Sequence, residues 1–385
     1  MAGWETKPLG EVCTIKPPKA EAKKKLTGSD EVSFAPMEDL GIGVKYLQPH
    51  RTRPLDDVSG SYTYFAEGDV LLAKITPCFE NGKLGVARGL TNGVGFGSSE
   101  YIVLRPEPAL DAEFLYYYLA RPQFLEEGAR TMTGAVGHKR VSKDFVESYP
   151  IPVPPLSEQQ RVVAILDEAF EGIATAKGNA EKSLQNALEL FKSYAKGVFS
   201  RGAERWSIRT LDQISTNLDR KRIPITKSDR KSGDFPYYGA SGIVDYVADY
   251  IFDGDTLLIS EDGANLLARS TPIAFSVSGQ YWVNNHAHII KFEHMATQRF
   301  VEFYLESIPL DKYITGAAQP KLNQKALNSI PIPIPTTLEE QKQVVDHLDM
   351  LTEQIELLQG THTLKLSALD ELKKSLLHQA FTGQL

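Results

Sequence analysis

The sequence predicts an α+β protein made by tandem duplication: two mixed β-rich domains joined by two long antiparallel coiled-coil helices, with pseudo-twofold symmetry. Three observations carry that expectation. An alternating proline stretch followed by a Glu-Gln signature is written twice, as "PIPVPPLSEQQ" from Pro150 and "PIPIPTTLEEQ" from Pro331. Ahead of each stretch, short β-branched and aromatic runs alternate with Gly, Asn, Asp and Pro turns. Behind each stretch, apolar residues recur at steps of four and three, the signature of a long helix with a packing seam. The expected boundaries are 1–150 and 201–335 for the β-rich domains, and 151–200 and 336–385 for the helical regions.

The duplication extends well beyond the prolines. "WETKPLGEV" at Trp4 answers "WSIRTLDQI" at Trp206, and "YFAEGDVLLAKI" at Tyr64 answers "YIFDGDTLLISE" at Tyr250. "SSEYIVLR" at Ser98 faces "NNHAHIIK" at Asn284, "FLYYYL" at Phe114 faces "FVEFYL" at Phe300, and "TGAVGHKR" at Thr133 faces "TGAAQPKL" at Thr315. Order is kept throughout with small insertions. Within each β-rich domain, runs such as "DVLLAKI", "EYIVLR", "DTLLIS" and "HAHIIKF" read as strands, and "DAEFLYYYLAR" and "ATQRFVEFYLES" read as helices. The proline stretches cannot be central strands, because proline brings no ladder donor, and are expected as edge or linker segments.

In the first helical tract, Leu166, Phe170, Ile173, Lys177, Ala180, Leu184, Ala187, Phe191, Tyr194 and Val198 form a heptad seam broken only at Lys177. In the second, Leu348, Ile355, Leu366, Leu369 and Leu376 continue the pattern. There Thr352, Gln359, His362 and Lys373 weaken it, while Leu351, Leu358 and Leu372 widen the stripe. Two weak seams predict that the helices pair with each other. Ser157 or Thr337 is the expected N-cap, and the Glu residues of the first turn suit the positive end of the helix dipole.

Bulk properties narrow the function. A chain of 385 residues is long for one core and predicts two or three domains. With 42% hydrophobic and 24% charged residues, no apolar run long enough to span a bilayer and no apolar stretch near Met1, the expected location is the cytoplasm, with no membrane role. Cys13 and Cys78 make neither a disulfide framework nor a zinc cluster and read as small buried hydrophobes. A net charge of −7 with a pI near 5.7 argues against nucleic acid at first sight. The distribution answers this, since acidic residues crowd the helical tracts while "KPPKAEAKKK" (Lys16, Lys19, Lys23, Lys24, Lys25) and "RKRIPITKSDRK" (Arg220, Lys221, Arg222, Lys227) are dense basic segments, each following the repeated Trp. Such runs give phosphate contacts and salt-dependent affinity; a solvated loop is the alternative reading.

Two similar domains with approximate twofold symmetry suit a partner whose halves are alike, and duplex DNA with a bipartite site is the expected one. Base readers should be polar residues on loops. Candidates in the first domain are Lys74, Thr76, Asn81, Lys83, Ser98, Ser99, His138, Lys139 and Arg140. In the second they are Ser241, Asn265, Arg269, Asn284, Asn285, Gln319 and Lys321. The same residue types also serve turns and caps, so the loops carry the expectation more than any one residue.

At these residues the plan resembles the DNA-specificity (S) subunits of type I restriction-modification enzymes. "ITPCFENGKLGVARGLTNGVGFGSSEYIVLRP" resembles one type of target-recognition domain in that family, and "YYGASGIVDYV", "LLISEDGANLLARS" and "WVNNHAHIIK" resemble another. "PLSEQQRVVAIL" is similar to the start of the family's conserved helix and "LLHQAFTGQL" to its ending, so the likeness covers nearly the whole chain. It implies a non-catalytic chain in which each target-recognition domain reads one half of a split DNA site. The helices would set the unread spacer and dock two modification subunits that bind S-adenosylmethionine and methylate adenine, and a restriction subunit with translocase and nuclease activity is a further implied partner. The sequence has no GxxxxGK[ST] phosphate loop and no NPP[YF]-type tetrapeptide, so neither a cofactor nor a catalytic residue is expected.

Two other function classes remain. One is a coiled-coil scaffold whose β domains bind protein, favoured by the negative charge. The other is a stand-alone metal-dependent nuclease. His286 and His288 alternate on an expected strand and share a face as two ligands could, and Glu261 and Asp262 in "SEDGAN" could be nuclease carboxylates. No Cys or carboxylate lies at ligand spacing beside the histidines, and "EDG" is also a plain turn, so no metal is expected.

Overall fold

The computed structural model describes residues 3–135, 137–316 and 319–385; Val136, Ala317 and Ala318, inside the repeated Thr-Gly-Ala stretch, lie outside the described residues. The chain divides into two compact units, Met1–Asn179 with Leu364–Leu385, and Ala180–Thr363. Each unit contains one β-rich body and a portion of each long helix. None of the described helices is long and apolar enough to cross a membrane.

The first unit has two four-stranded sheets. One places Cys13–Ile15, Tyr101–Pro106, Val70–Ala73 and Leu84–Val86 side by side, all antiparallel. The other orders Arg51–Pro54, Glu31–Ala35, Val94–Gly97 and Thr63–Ala66, with a single parallel contact between Glu31–Ala35 and Val94–Gly97. Strand alternation divides the buried side chains between two clusters. Val70, Leu72, Ile102 and Leu104 join Phe114, Leu115 and Leu119 of the helix Ala112–Leu119, while Leu71, Ala73, Tyr101 and Val103 meet Ala35 and Phe65 of the second sheet.

The second unit repeats both orders. One sheet is Thr216–Asn217, Ala287–Lys291, Thr256–Ser260 and Ala274–Val277. The other is Gly242–Val247, Ser232–Gly239, Gln280–Val283 and Phe252–Asp253, again with one parallel contact, between Ser232–Gly239 and Gln280–Val283. Packing corrects the sequence alignment by one residue. Val70 pairs with Leu104 facing the helix cluster, and Leu257 pairs with Ile290 facing the helix Met295–Ser307, so Val70 corresponds to Leu257. The ungapped match of "DVLL" to "DTLL" would set Val70 against Thr256 and turn every side chain to the wrong face. The loop at Thr133 also shortens by one: Thr133 bridges Arg140 and Thr315 bridges Lys321, which makes Arg140 and Lys321 counterparts.

The proline stretches form two-stranded ladders, Pro150–Pro152 on Thr6–Pro8 and Ile332–Ile334 on Ser207–Arg209. Both strands of such a ladder are edges, which is where proline is tolerated. The Glu-Gln signature then has a structural reason. Gln159 is fully buried; its Nε2 donates to the carbonyls of Pro154 and Ala109 at 2.8 Å, and its Oε1 accepts from the Asp111 amide. Gln341, also buried, donates to the Pro335 carbonyl at 2.9 Å and accepts from Thr297 Oγ1. Each Gln ties the end of the proline segment to the first turns of a helix.

Those helices are Leu156–Gly202 and Leu338–Phe381. Thr337 accepts from the Glu340 amide at 3.3 Å as an N-cap. Ser157 does not cap, since the first long helix already includes it; the amides of Glu158 and Gln159 bond the Pro155 carbonyl instead. In the first unit Leu166 and Val162 pack with Leu377 and Phe381, which sets the start of the first long helix against the end of the second. In the second unit Ala195 and Phe199 cluster with Val345 and Leu348, and the rings of Tyr194 and His347 lie 5.3 Å apart, so the pairing is antiparallel there as well. The second helix's seam runs through the half-buried Leu351 and Leu358, with Gln359 exposed beside them. Leu372 does not widen it, because its side chain stands on the open face, 46% exposed.

Candidate nucleic-acid interface

In the first unit, the turn after Cys13–Ile15, the loop before Tyr101–Pro106 and the segment around Arg140 enclose a cleft of about 500 Å³. Lys16, Lys19, Lys74, Ser99 and Arg140, all expected from sequence, line it. Lys16 is exposed and takes a left-handed backbone, φ 60°, which is uncommon for a residue with a Cβ and is a strained conformation typical of functional loops. Lys19 donates to the carbonyls of Ser59 and Gly60 at 3.3 and 2.9 Å, and Lys74 to that of Ser99 at 2.9 Å. Arg140 grips Glu100 with both ends of its guanidinium, 2.9 and 2.8 Å, and holds that carboxyl below its ordinary range. The cleft also takes in Tyr62, Tyr64 and Lys143, which sequence reasoning passed over. Lys143 lies three residues beyond Arg140 of "GHKR" and could have been read with it.

The other candidates of this unit lie apart from the cleft. Lys23, Lys24 and Lys25 are exposed on the helix Ala20–Lys25, and Asn81, His138 and Lys139 are exposed on loops. Thr76 donates to Glu80 at 2.7 Å, Lys83 is half-buried and donates to the Met37 carbonyl at 2.9 Å, and Ser98 accepts from the Glu100 amide.

In the second unit, Arg220, Lys221 and Lys227 are exposed, as are Asn285 and Gln319. Ser241 sits at the turn between Ser232–Gly239 and Gly242–Val247, within 3.4 Å of the Asn265 amide. Asn265 in turn braces its own loop by accepting from Ser270 and Thr271. Asn284 is buried and accepts from the His286 amide. Arg269, left-handed at φ 50°, donates to the carbonyls of Leu305 and Ile308 at 3.3 and 2.8 Å. The edge strand Gly242–Val247 adds exposed Ile243, Val244 and Tyr246 at the hairpin.

Arg222 and Lys321 belong to an ion network. Arg222 donates to Glu261 at 2.6 Å and to the Ala287 carbonyl at 2.8 Å, Lys321 stands 3.2 Å from Glu261, and the buried His288 reaches Asp219 at 2.6 Å and the Leu322 carbonyl at 2.8 Å. Ligand atoms of Asp219, Glu261 and His288 lie within 4.8 Å of one another. Arg222 already balances the carboxylates, and both His288 nitrogens face protein oxygens, so the donor set fits a protein cation better than a metal. His286 and His288 do not converge: His286 is exposed and bonds Asp262 at 2.9 Å. Glu261 is therefore taken up by Arg222 and Lys321, and Asp262 by the His286 ring, rather than by an open site. The carboxylates beside the histidines were invisible to spacing, since Asp219 lies 69 residues from His288.

Two bodies of one fold, each carrying basic and polar loops over a shared helical pair, define a duplicated recognition protein. The chain belongs to the family described as the type I restriction modification DNA specificity domain, which matches residues 1–185 and again 203–366. The specificity subunits of the type I restriction enzymes EcoEI and EcoAI of Escherichia coli are 40% identical over 163 residues and 39% over 165, each match covering 42% of this chain. The match spans 27% of the length of each of those two relatives. A putative specificity subunit of type I restriction enzyme MjaX from Methanocaldococcus jannaschii is 23% identical over 340 residues, 83% of this chain and 78% of its own. Among solved structures, a chain from work on complex assembly and conformational transition of the type I R-M system shares the fold with TM-score 0.82 at 17% identity, covering 100% of this chain and 99% of its own. The HsdS subunit of Thermoanaerobacter tengcongensis shares it with TM-score 0.66 at 19% identity, covering 100% and 98%.

Proposed function

We propose that the chain is the non-catalytic DNA-reading subunit of a type I restriction-modification assembly, each unit reading one half of a bipartite site. The observation that carries this is the occurrence of the DNA specificity domain twice in one chain, in two units with the same sheet order and separate sets of exposed loops. Phosphate contacts from the basic runs would position the duplex, and polar loop residues would read base edges. Adenine methylation would come from two modification subunits docked on the long helices, where Leu190, Leu357 and Leu364 are largely exposed. Contiguous exposed apolar surface marks protein contacts, and Leu357 and Leu364, seven residues apart on one face of the second long helix, are candidates for it. A restriction subunit would join the same assembly, in the cytoplasm. The helices are the parts that would fix the unread spacer between half-sites.

Mapping adenine methylation across a host genome, with and without this chain beside its modification subunits, tests the reading. The expected result is a split motif, two short sequences separated by a fixed number of unread base pairs, lost when the chain is removed. A methylation pattern indifferent to this chain contradicts it.

A further inference from the structure

The duplication allows position-by-position comparison of the two units, and at the cleft of the first they differ in the chemistry of the side chains. Backbone hydrogen bonds fix the correspondence. Lys16 N donates to Val103 O as Leu218 N does to Ile289 O; Lys74 N donates to Glu100 O as Glu261 N does to His286 O; Val141 N donates to Lys74 O as Leu322 N does to Glu261 O. With the strand registers, these bonds set Pro17 against Asp219, Lys74 against Glu261, Ile102 against His288 and Arg140 against Lys321.

The buried ion network of the second unit therefore occupies the position at which the first unit is open. Where the second unit has Asp219, Glu261 and His288 closed by Arg222, the first has Pro17, Lys74, Ile102 and, at the start of its helix, Ala20, and the cleft lies there. The first cleft carries five cations, Lys16, Lys19, Lys74, Arg140 and Lys143, against Glu100 and the Lys143 partner Glu147, a surplus of positive charge. The second balances Arg222 and Lys321 with Asp219 and Glu261. The backbone differs too: Lys16 is left-handed at φ 60°, whereas Leu218 relaxes to φ −107°.

We propose that the cleft of the first unit is a binding site for a phosphodiester of duplex DNA, and that the second unit has converted the same position into a structural ion network with no anion site. The proposal rests on the DNA-reading function above and deepens it. Lys16 and Lys74 would make charge-assisted bonds to the phosphate oxygens, and Tyr62 would flank the sugar. The two halves of the chain thus differ in how much of their grip is electrostatic at this position.

The test is the salt dependence of binding by the full chain to a duplex carrying the motif that methylation mapping returns. Each phosphate contact contributes a slope of about 0.9 in log K against log salt. Lys16→Ala with Lys74→Ala should lower the slope by roughly that amount and weaken binding to all sequences alike. Lys321→Ala, at the counterpart of Arg140, should leave the slope unchanged and lower the melting temperature, since Glu261 loses a partner. A salt-steep wild type with an unaltered slope in the double variant, or an equal fall in slope for Lys321→Ala, overturns the cleft alone. Wild-type binding that is flat in salt overturns the DNA-reading function and the cleft with it.

Discussion

Gln159 Nε2 donates to the carbonyl oxygen of Pro154 at 2.8 Å, and Gln341 repeats the bond to Pro335 at 2.9 Å. A proline strand ends with carbonyls that no neighbouring proline can satisfy, and a buried carbonyl without a donor costs about 1–3 kcal/mol. Gln159→Leu should therefore destabilise the first unit by at least that much, because Pro154, Ala109 and the Asp111 amide all lose a partner. Thermal melting checks this; an unchanged transition means the glutamines are not the tie between strand and helix.

Lys177, the one break in the first seam, donates to Asp370 on the second long helix. The pair is partly exposed, at 29% and 57%, so it is worth only about 0–1 kcal/mol. Nearby Lys373 has its amine pushed below the usual lysine range by burial and by Lys177, and lies 4.9 Å over the Phe170 ring. Lys177→Leu should continue the apolar seam, relieve Lys373, and keep or raise stability in chemical denaturation. A loss beyond about 2 kcal/mol would assign the pair a specific role that exposed pairs rarely have.

Asp219 and Glu261 are both held below the usual carboxylate range. Burial is the largest single influence and opposes ionisation at each. It is outweighed at Asp219 by the bond and charge of His288 with the Ile289 amide and Asn217, and at Glu261 by Arg222, His288 and Lys321. A depressed carboxylate contributes stability that is present above its unfolded value, about 4, and is lost as pH falls through the folded value. The second unit should thus weaken on acidification below about pH 4. Asp219→Asn should lower stability at neutral pH by about 3–5 kcal/mol, since Arg222 and the buried His288 lose their carboxylate partner, and flatten the acid limb. Identical pH profiles for the two proteins would contradict the network.

Much of the fold was legible in the sequence because duplication and helical period are long-range patterns that many residues repeat. The proline strands, both long helices and the seam through Leu166 and Ile173 follow from them. Finer placement was not. The ungapped match sets Leu71 and Leu72 against Leu257 and Leu258, the register one residue on sets Val70, Leu71 and Leu72 against Leu257, Leu258 and Ile259, and only the side on which Val70 and Leu257 pack decides between two apolar readings. At the candidate site, Lys16, Lys19, Lys74, Ser99 and Arg140 come together as loops in one domain could. The Asp219, Glu261 and His288 cluster joins three distant segments, so spacing had no means of finding it.

The helices provide a mechanical prediction. Leu156–Gly202 is one helix of 47 residues, about 70 Å at ~1.5 Å per residue. Inserting four residues beside Gly178, with a matching insertion in the second long helix, adds about 6 Å and roughly one turn, so the seam stays nearly in phase. The methylated motif should keep both half-sequences and gain one or two unread base pairs, each rising ~3.4 Å. A two-residue insertion rotates the seam by about half a turn and should abolish methylation. An unchanged spacer after the four-residue insertion would mean that the helices do not set the distance.

The central claim, that each unit independently reads one half of a split site, is tested most directly by exchanging one unit's recognition body. Residues 1–150 are replaced by the first β-rich domain of another member of the family, and the adenine methylation motif is mapped in the same host before and after. The account predicts that one half-sequence changes to the donor's while the other half stays as it was. A motif altered in both halves, or in neither, would contradict it.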